Sequence, residues 1–431
     1  MIRIYRQGEF SAKDIQNRAS ENAGLLAEVE KDVRKIIDEV RENKDRALYD
    51  YTERFDKVKL ESLIVTETEI ETAYRNTDSA FISVLEEASR NITEFHNMQK
   101  RSGFEVKKQN GVVLGQKITP IKRVGIYIPG GTASYPSSVL MNAIPAKVAG
   151  VEEIVMVTPP NSDGKVPDSI LAAAKVAGVT NVYKVGGAQA IAALASGTQT
   201  IKKVDKIVGP GNIFVATAKK IVFGEVDIDM IAGPSEILII TDCTSDPKCV
   251  AADMLSQAEH DKNAAAILIC TEEAYANKVG KEIENQLKKL PRYDIARASI
   301  DNNGKIIIVK NIEEAIEISN LIAPEHLEIC LDNPFDYLEQ IKNAGSIFLG
   351  KNTPEALGDY FAGPNHTLPT SGTARFSSPL SVDDFIKKSS YIYYTKEALG
   401  KVVDKVSLFA EKEGLDAHAK SVKSRFNCQK D

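Results

Sequence analysis

The sequence predicts an α/β fold built on parallel, doubly wound sheets, with helical segments at both ends of the chain. From about residue 118 onward, short apolar runs of strand length alternate with helical segments. Strands that are apolar throughout are typical of parallel sheets covered by helices on both faces. The first hundred residues differ, because they are rich in charge and place apolar residues three and four positions apart.

Two long amphipathic helices are predicted in the first hundred residues, over AGLLAEVEKDVRKIIDEVREN and DSAFISVLEEASRNITEFHNM. A first series of strand, turn and helix follows. Each of its strands ends at glycine or proline, which favours a turn before the next helix. The predicted strands are VGIYIPGG (124–131), EIVMVTPP (153–160), NVYKVGG (181–187) and KIVGPGN (206–212).

A second α/β series is predicted from about residue 236. Its strands are EILIITD, AAAILICT, KIIIVKN and GSIFLG, and its helices include KCVAADMLSQAEH and the charged segment 272–289. Residues 351–382 are rich in Gly, Pro, Ser and Thr and are predicted to form an extended, ordered loop. The last fifty residues are predicted to be mainly helical.

Composition narrows the class of protein. The chain has 431 residues, 43% hydrophobic and 26% charged, which predicts two or more globular domains. A formal net charge of −6 argues against a nucleic-acid partner and favours a cytoplasmic protein. No apolar run approaches the roughly 18 residues that span a bilayer, and MIRIYRQGEF lacks the apolar core of a signal peptide. The five cysteines form no CxxC pair and are predicted to be reduced.

Scarce histidines beside polar side chains suggest a metal site. Gln257 and His260 lie three residues apart near the end of a predicted helix, so both can face one ion. With Asp359 and His418 they would supply two imidazoles, one carboxylate and one amide oxygen, a plausible zinc shell. Simpler interpretations remain for each residue: a histidine at a helix C-terminus, an aspartate that stabilises a turn, and a surface histidine.

The dipeptide Glu325-His326 follows a proline that ends a helical stretch. Adjacent side chains point in different directions, so the two could handle different protons. Glu-His pairs at element boundaries are also commonly structural.

Three glycine turns at predicted strand ends suggest a nucleotide site: IPGGTA (128–133), VGGAQA (185–190) and VGPGN (208–212). Glycine lets backbone N–H groups approach a phosphate, although no GxGxxG fingerprint is present. Three functions are compatible with these features: a zinc- and NAD-dependent dehydrogenase, a zinc hydrolase, and a nucleotide-binding scaffold with a structural metal. The glycine turns favour the dehydrogenase, because a hydrolase needs no nucleotide crevice.

The chain resembles the histidinol dehydrogenase family from roughly residue 25 to 425. The resemblance rests on motifs that occur in the family's order: VGIYIPGGTASYPSSVLMNAIPAKVAGV, VGGAQAIAALA, VGPGN, DMIAGPSEILII, LSQAEHD, APEHLEI, LGDYFAGPNHTLPTSGTARF and EGLDAHAKSV. It implies oxidation of L-histidinol to L-histidine through L-histidinaldehyde, with reduction of two NAD molecules. This reaction is the last step of histidine biosynthesis.

The resemblance also implies residue roles. Glu325 and His326 would form the acid–base pair, and NAD would contact Tyr127, Gln189 and Asn212. One zinc ion per subunit would be bound by Gln257, His260, Asp359 and His418. The implied substrate residues are Ser235, Gln257, His260, His326, Asp359, Glu413 and His418. The family is similar in forming an intertwined homodimer, in which Glu413 and His418 complete the partner's site. His366 is a further candidate near the site.

The predicted domains follow from these assignments. Residues 1–24 would form an N-terminal extension, and 124–235 a Rossmann-like nucleotide-binding domain. Residues 25–123 together with 236–380 would form a second Rossmann-like domain that carries the metal and acid–base residues. Residues 381–431 would form a C-terminal helical segment that reaches the partner subunit.

Overall fold

The computed structural model describes residues 2–11, 23–130 and 134–426, with side chains from residue 27 onward in the first helix. It divides into two compact units. The larger unit comprises Met1–Lys100 and Ile121–Phe385, and the smaller comprises Arg101–Pro120 and Ile386–Asp431. No helix in these described ranges is both long enough and apolar enough to cross a membrane.

The strands, in chain order, are β1 (Arg3–Tyr5), β2 (Phe104–Lys107), β3 (Val112–Pro120), β4 (Arg123–Tyr127), β5 (Glu153–Thr158), β6 (Asn181–Lys184), β7 (Lys206–Val208), β8 (Asp227–Ile228), β9 (Glu236–Thr241), β10 (Ala265–Cys270), β11 (Lys305–Ile308), β12 (His326–Cys330), β13 (Ser346–Leu349) and β14 (Ile386–Tyr394).

The helices, in the same order, are α1 (Ala23–Asn43), α2 (Asp45–Asp56), α3 (Glu67–Asn76), α4 (Ser79–Asn97), α5 (Pro136–Ala149), α6 (Asp168–Ala177), α7 (Gly187–Ser196), α8 (Ile213–Val222), α9 (Pro247–Ala258), α10 (Glu273–Leu287), α11 (Tyr293–Asn303), α12 (Ile312–Ile322), α13 (Phe335–Leu338), α14 (Glu355–Tyr360), α15 (Lys396–Gly400), α16 (Val403–Lys412) and α17 (Asp416–Lys423).

The larger unit contains two parallel sheets, as the apolar strand runs predict. One has five strands in the order β6-β5-β4-β7-β8, and the other has six in the order β1-β11-β10-β9-β12-β13. All neighbouring strands in both sheets run parallel. Helices cover the sheets, so the predicted α/β class is confirmed.

The five-stranded sheet has a point where its strand order reverses. From β4 the chain proceeds to β5 and β6 on one side, then returns to β7 on the other side. The loops after β4 and β7 therefore leave in opposite directions at the carboxyl edge. Such a switch point opens a crevice where ligands bind in doubly wound sheets.

The first four helices do not belong to the domain in which the sequence analysis places them. The sequence analysis predicts that residues 25–123 share a domain with 236–380, but α1 to α4 pack on the five-stranded sheet. Val33 and Leu48 share a core with Val157, and Leu85 and Ile92 share another with strand and helix residues of that half. Their apolar stripes need a large apolar surface, and α5 to α8 supply it.

The structure also differs from the prediction near the N-terminus and in the segment 351–382. Residues 3–5, placed in the N-terminal extension, form β1 at the edge of the six-stranded sheet. Residues 12–22 lie outside the described residues. Within 351–382, which the composition predicts to be a loop, residues 355–360 form helix α14.

The smaller unit contains an antiparallel sheet that the sequence reasoning missed. Strands β14, β3 and β2 pair in that order, with nine paired positions between β14 and β3. Residues 386–394 are thus a strand within 381–431, a segment that the sequence predicts to be mainly helical. The run IKKSSYIYY is rich in tyrosine and isoleucine, which favour strands, and its partner VVLGQKITP lies far away in sequence. Helices α15 to α17 complete this unit.

Candidate active site

A buried group of polar side chains gathers at the amino-terminal edge of the six-stranded sheet. Strands β9 and β12 begin there, with Glu236 and His326 as their first residues. Helix α9 runs back toward this edge and ends one residue beyond Gln257. The parallel register pairs His326 with Ile237, so Glu325 and Glu236 also lie side by side.

Hydrogen bonds to the start of β9 fix Glu325 and His326. The backbone N–H of Glu236 donates to Glu325 Oε2 at 2.8 Å. The backbone carbonyl of Glu236 lies 3.0 Å from His326 Nδ1. Since a carbonyl oxygen only accepts, Nδ1 carries the proton in this contact. In a neutral ring His326 Nε2 would therefore be free to accept a proton.

The free edge of His326 faces acidic side chains. Its Nε2 lies 3.5 Å from Asp359 Oδ1 and 3.9 Å from Glu355 Oε1, and its Nδ1 lies 3.8 Å from Glu325 Oε2. Among the described residues, His326, Glu355 and Asp359 form a group whose ligand atoms all lie within 4.8 Å of one another. Spacing of this kind suits a single cation.

Burial and mutual charge perturb these groups strongly. Burial raises the pKa of Glu325 to about 8. Burial alone would lower the pKa of His326, but the carboxylates of Glu355, Glu325 and Asp359 raise it well above its usual value. Burial also opposes ionisation of Asp359, yet its contact with His326 keeps the pKa of that carboxyl low. Protons within such a cluster are shared, which suits acid–base chemistry.

The amide of Gln257 is buried beside the same histidine. Its Nε2 donates to Glu355 Oε1 at 2.6 Å and lies 3.1 Å from His326 Nδ1. Its Oε1 is buried and has no hydrogen-bond partner among the residues that the structure describes. A buried amide oxygen without a donor is costly in an apolar interior. A cation could supply the missing partner.

His260 and His366 lie around Asp359. His260 is exposed, two residues beyond the end of α9, and interacts electrostatically with Asp359 and His326. The Nδ1 of His366 lies 3.0 Å from the Asp359 carbonyl oxygen and its Nε2 lies 3.5 Å from Ser138 Oγ. Ser138 belongs to α5, so His366 links the acidic cluster to the half that contains the five-stranded sheet.

The remaining predicted substrate residues lie elsewhere in the sequence. Ser235 immediately precedes Glu236, and its carbonyl oxygen accepts from the backbone N–H of Ala265 at 3.0 Å. Glu413 and His418 belong to the smaller unit, where both are exposed, and His418 lies on α17.

A cavity of about 900 Å³ lies at the carboxyl edge of the five-stranded sheet. That volume is within the range usual for sites of small molecules and cofactors. Its wall combines the strand ends with side chains of α1 and α2. The lining includes Lys35, Arg54, Phe55, Asp56, Tyr127, Pro129, Gly130, Pro159, Gly187, Gln189 and Asn212.

The three residues predicted to contact NAD all line this cavity. The Tyr127 hydroxyl accepts from the backbone N–H of Gly187 at 3.1 Å, and burial raises its pKa to about 12. Gln189 is buried, and within the described part of the chain its Oε1 has no hydrogen-bond partner. Asn212 caps α8, because its Oδ1 accepts from the backbone N–H of Val215 at 3.2 Å.

Gly209 brings the ends of β4 and β7 together. Its φ is +112°, and a Cβ there would lie 2.2 Å from the carbonyl oxygen of Tyr127. Only glycine fits this position. In IPGGTA the residues 131–133 lie outside the described residues, so that predicted turn is seen only as far as Gly130.

Comparison with known proteins identifies the family. The histidinol dehydrogenase family model matches residues 19–426. Histidinol dehydrogenase of Clostridium acetobutylicum is 58% identical over 427 residues, covering 99% of each chain. That of Listeria monocytogenes is 56% identical over 409 residues, 95% of this chain and 96% of the relative. The chain belongs to the histidinol dehydrogenase family.

A solved structure agrees with this assignment. The crystal structure of histidinol dehydrogenase from Elizabethkingia anophelis superposes with a TM-score of 0.90 at 39% identity, covering 99% of this chain and 98% of that one. Members of the histidinol dehydrogenase family are oxidoreductases, and the family catalyses the final step of histidine biosynthesis. The resemblance predicted from the motifs is therefore confirmed.

Three acidic residues of this family member were missed by the sequence reasoning. Glu236, Glu328 and Glu355 are all buried at or beside the site. A signal for two of them was present in a sheet covered on both faces: Glu328 interrupts the apolar run of β12, and Glu236 directly begins the apolar run of β9. A charged residue is almost never fully buried unless it is paired. Glu355 gave no such signal, because it lies in a segment rich in glycine and proline.

Proposed function

We propose that the chain is a zinc- and NAD-dependent histidinol dehydrogenase. It would oxidise L-histidinol to L-histidine through L-histidinaldehyde and reduce two NAD molecules. The principal support is the convergence of Gln257, Glu325, His326 and Asp359 in one buried cluster. A cavity of cofactor size in the same unit is lined by Tyr127, Gln189 and Asn212.

The metal would be held by Gln257, His260, Asp359 and His418, one ion per subunit. The partnerless Gln257 Oε1 fits this role, as do the carboxylate of Asp359 and the imidazoles. When bound, zinc would anchor the amino and imidazole nitrogens of the substrate and add some positive charge near its hydroxyl.

The chain's own residues would move the protons. His326 Nε2 would take the hydroxyl proton of the alcohol, while Nδ1–H stays fixed on the Glu236 carbonyl. Tyr127, Gln189 and Asn212 would hold the NAD that supplies the hydride acceptor for each oxidation. Glu325 would then take a proton from water that hydrates the aldehyde. Its raised pKa of about 8 suits a carboxyl group that releases and regains a proton near neutrality.

Further substrate contacts would come from Ser235 and from Glu413 and His418. Ser235 precedes the strand that fixes the acid–base pair. Enclosure of the substrate would keep the reactive aldehyde from escaping between the two steps.

We also propose a cytoplasmic homodimer in which Glu413 and His418 of each chain complete the partner's site. The smaller unit exposes apolar side chains, with Ile392, Tyr393 and Phe409 between 58% and 74% exposed. Exposed apolar groups of this kind are usual at protein interfaces. The described cysteines are free, which fits a reducing compartment.

One experiment tests the reaction. Protein loaded with zinc is given L-histidinol and excess NAD, and NADH is counted per L-histidine formed. A ratio of two, lost on chelation and restored by zinc, is the expected result. A ratio of one, or activity unaffected by complete zinc removal, would contradict the proposal.

A second experiment tests the shared site. His418→Asn and His326→Asn chains, each inactive alone, are mixed under conditions in which subunits exchange. Partial recovery of activity is expected, because some hybrid sites receive both intact histidines. Verified exchange without recovery would show that each site is built from one chain.

A further inference from the structure

We infer that Glu355 is a positioning residue that orients the Gln257 amide so that its oxygen faces the metal. The inference rests on the proposed function, which makes Gln257 a metal ligand. It assigns Glu355 a role outside the predicted ligand set. The contacts of both side chains carry the argument.

An amide side chain can point either its oxygen or its nitrogen at a given neighbour, and its neighbours decide which. The Oε1 of Glu355 lies 2.6 Å from Gln257 Nε2. At that distance Glu355 Oε1 accepts a hydrogen bond, and of the two amide ends only the nitrogen can donate one, so this contact selects the nitrogen. Gln257 Oε1 is thereby directed away from Glu355.

The second neighbour of the amide, His326 Nδ1, does not itself select this orientation, because a protonated Nδ1 cannot accept a hydrogen bond from the amide nitrogen. His326 Nδ1 lies 3.1 Å from Gln257 Nε2 but also 3.0 Å from the Glu236 carbonyl oxygen. The proton on Nδ1 is engaged by that carbonyl. The orientation of Gln257 therefore depends on Glu355, its only hydrogen-bonded acidic partner among the described residues.

Glu355 is itself held firmly in place. It is 2% exposed and is the first residue of α14. Its backbone N–H donates to Glu328 Oε1 at 2.8 Å, which ties the start of α14 to strand β12. Asp359 lies four residues later on the same helix, and therefore on the same face. One short helix thus supplies a proposed ligand and the group that orients another.

A competing role for Glu355 is direct coordination. Glu355, His326 and Asp359 are close enough together to share a cation. The two roles differ in one respect. A positioning residue acts through Gln257, so its removal has no further effect once Gln257 is gone. A ligand contributes whether or not Gln257 is present.

A double-mutant cycle of zinc affinity separates them. The unaltered chain, Glu355→Leu, Gln257→Ala and the double variant are stripped of metal and titrated with zinc against a chromophoric chelator. Partners that orient metal ligands are typically worth 10–100-fold in affinity. Glu355→Leu is expected to lose about 10–100-fold in the unaltered background and less than about threefold beside Gln257→Ala.

Conservative and surface variants complete the design. Glu355→Gln keeps an oxygen that can accept from Gln257, so it should lose less than Glu355→Leu and carries the test if the leucine variant does not fold. Glu313 is an exposed glutamate in the first turn of α12, and Glu313→Gln should leave zinc affinity unchanged. Circular dichroism of each metal-free variant checks folding.

The outcomes are distinct. An equal loss with and without Gln257 would make Glu355 a ligand and overturn the inference, as would no loss in Glu355→Leu. Those results would leave the proposed function standing. Failure of the unaltered chain to bind zinc, or full affinity in Gln257→Ala, would overturn the proposed metal site and this inference with it.

Discussion

Replacing the two residues that we propose as the acid–base pair, His326 and Glu325, one at a time should slow different halves of the proposed reaction. His326→Asn removes the ring nitrogen that would take the hydroxyl proton in alcohol oxidation. Glu325→Gln removes the carboxylate that would activate water for aldehyde oxidation. Both changes keep a polar side chain near the start of β9, so their effects on packing should be small.

The expected magnitude follows from the contacts. An asparagine at 326 can still donate to the Glu236 carbonyl, so the loss is that of the free Nε2 alone. General acid–base catalysis is typically worth about 10²–10⁴-fold, or about 3–5 kcal/mol of activation free energy. A glutamine at 325 can still accept from the Glu236 N–H through its amide oxygen. In Glu325→Gln the rate of alcohol oxidation should fall less than about tenfold, and the rate of aldehyde oxidation should fall by about 10²-fold or more.

Rapid mixing with L-histidinol and excess NAD resolves the two NADH-forming steps, and L-histidinaldehyde supplied directly isolates the second. His326→Asn should show a slow first phase, whereas Glu325→Gln should show a nearly normal first phase and a slow second one. Glu313→Gln, on an exposed helix, serves as the control. Equal losses in both phases for both variants would refute this division of roles.

Changes at three further positions test the half of the larger unit that contains the five-stranded sheet and the proposed NAD site. Burial raises the pKa of Asp56 to about 6, because the folded state disfavours the ionised carboxylate. The free energy of unfolding should therefore fall as the pH rises from about 4 to 6. Asp56→Asn removes this penalty and should add about 2 kcal/mol to the free energy of urea unfolding at pH 7. That gain should fade toward pH 4, and a gain independent of pH would contradict the assignment. Asn212→Ala should weaken NAD binding measured by calorimetry and cost about 1 kcal/mol of stability, whereas Asn212→Ser keeps the helix cap and should lose only affinity. Lys219 is buried and paired with Asp229, so Lys219→Met should cost about 3–5 kcal/mol in urea unfolding, and an unchanged midpoint would show that the pair is not structural.

Local patterns were sufficient to predict most elements of the two parallel sheets. Runs such as EILIITD and AAAILICT match β9 and β10, because a strand covered on both faces must be apolar throughout. The pairing of strands was not predictable in the same way. Strand β14 pairs with β3 across more than 250 residues of sequence, and β1 joins an edge of the six-stranded sheet. Neither short segment carries a sequence pattern that identifies the strand with which it pairs.

In the candidate site, too, the sequence predicts individual residues better than it predicts the contacts between distant side chains. Gln257, Glu325, His326 and Asp359 were found from residue type and from the family resemblance, and the structure brings them into one cluster. Glu355 was missed because its contact with Gln257 joins residues 98 positions apart. A residue that acts by orienting another has no sequence signature of its own. Only its distance to the amide reveals it.

The buried acidic cluster of Glu325, Glu328 and Glu355 is expected to destabilise the fold. Glu325, Glu328 and Glu355 are all buried at one edge of an otherwise apolar sheet, and burying an ionised group carries an effective penalty of several kcal/mol. Burial raises the pKa of Glu325 and of Glu328 to about 8 in each case, so the folded chain resists placing full negative charge there. An apolar edge would pack at lower free energy. This cost is consistent with the proposed metal site, in which a divalent cation and a protonated imidazole would together supply positive charge to the cluster.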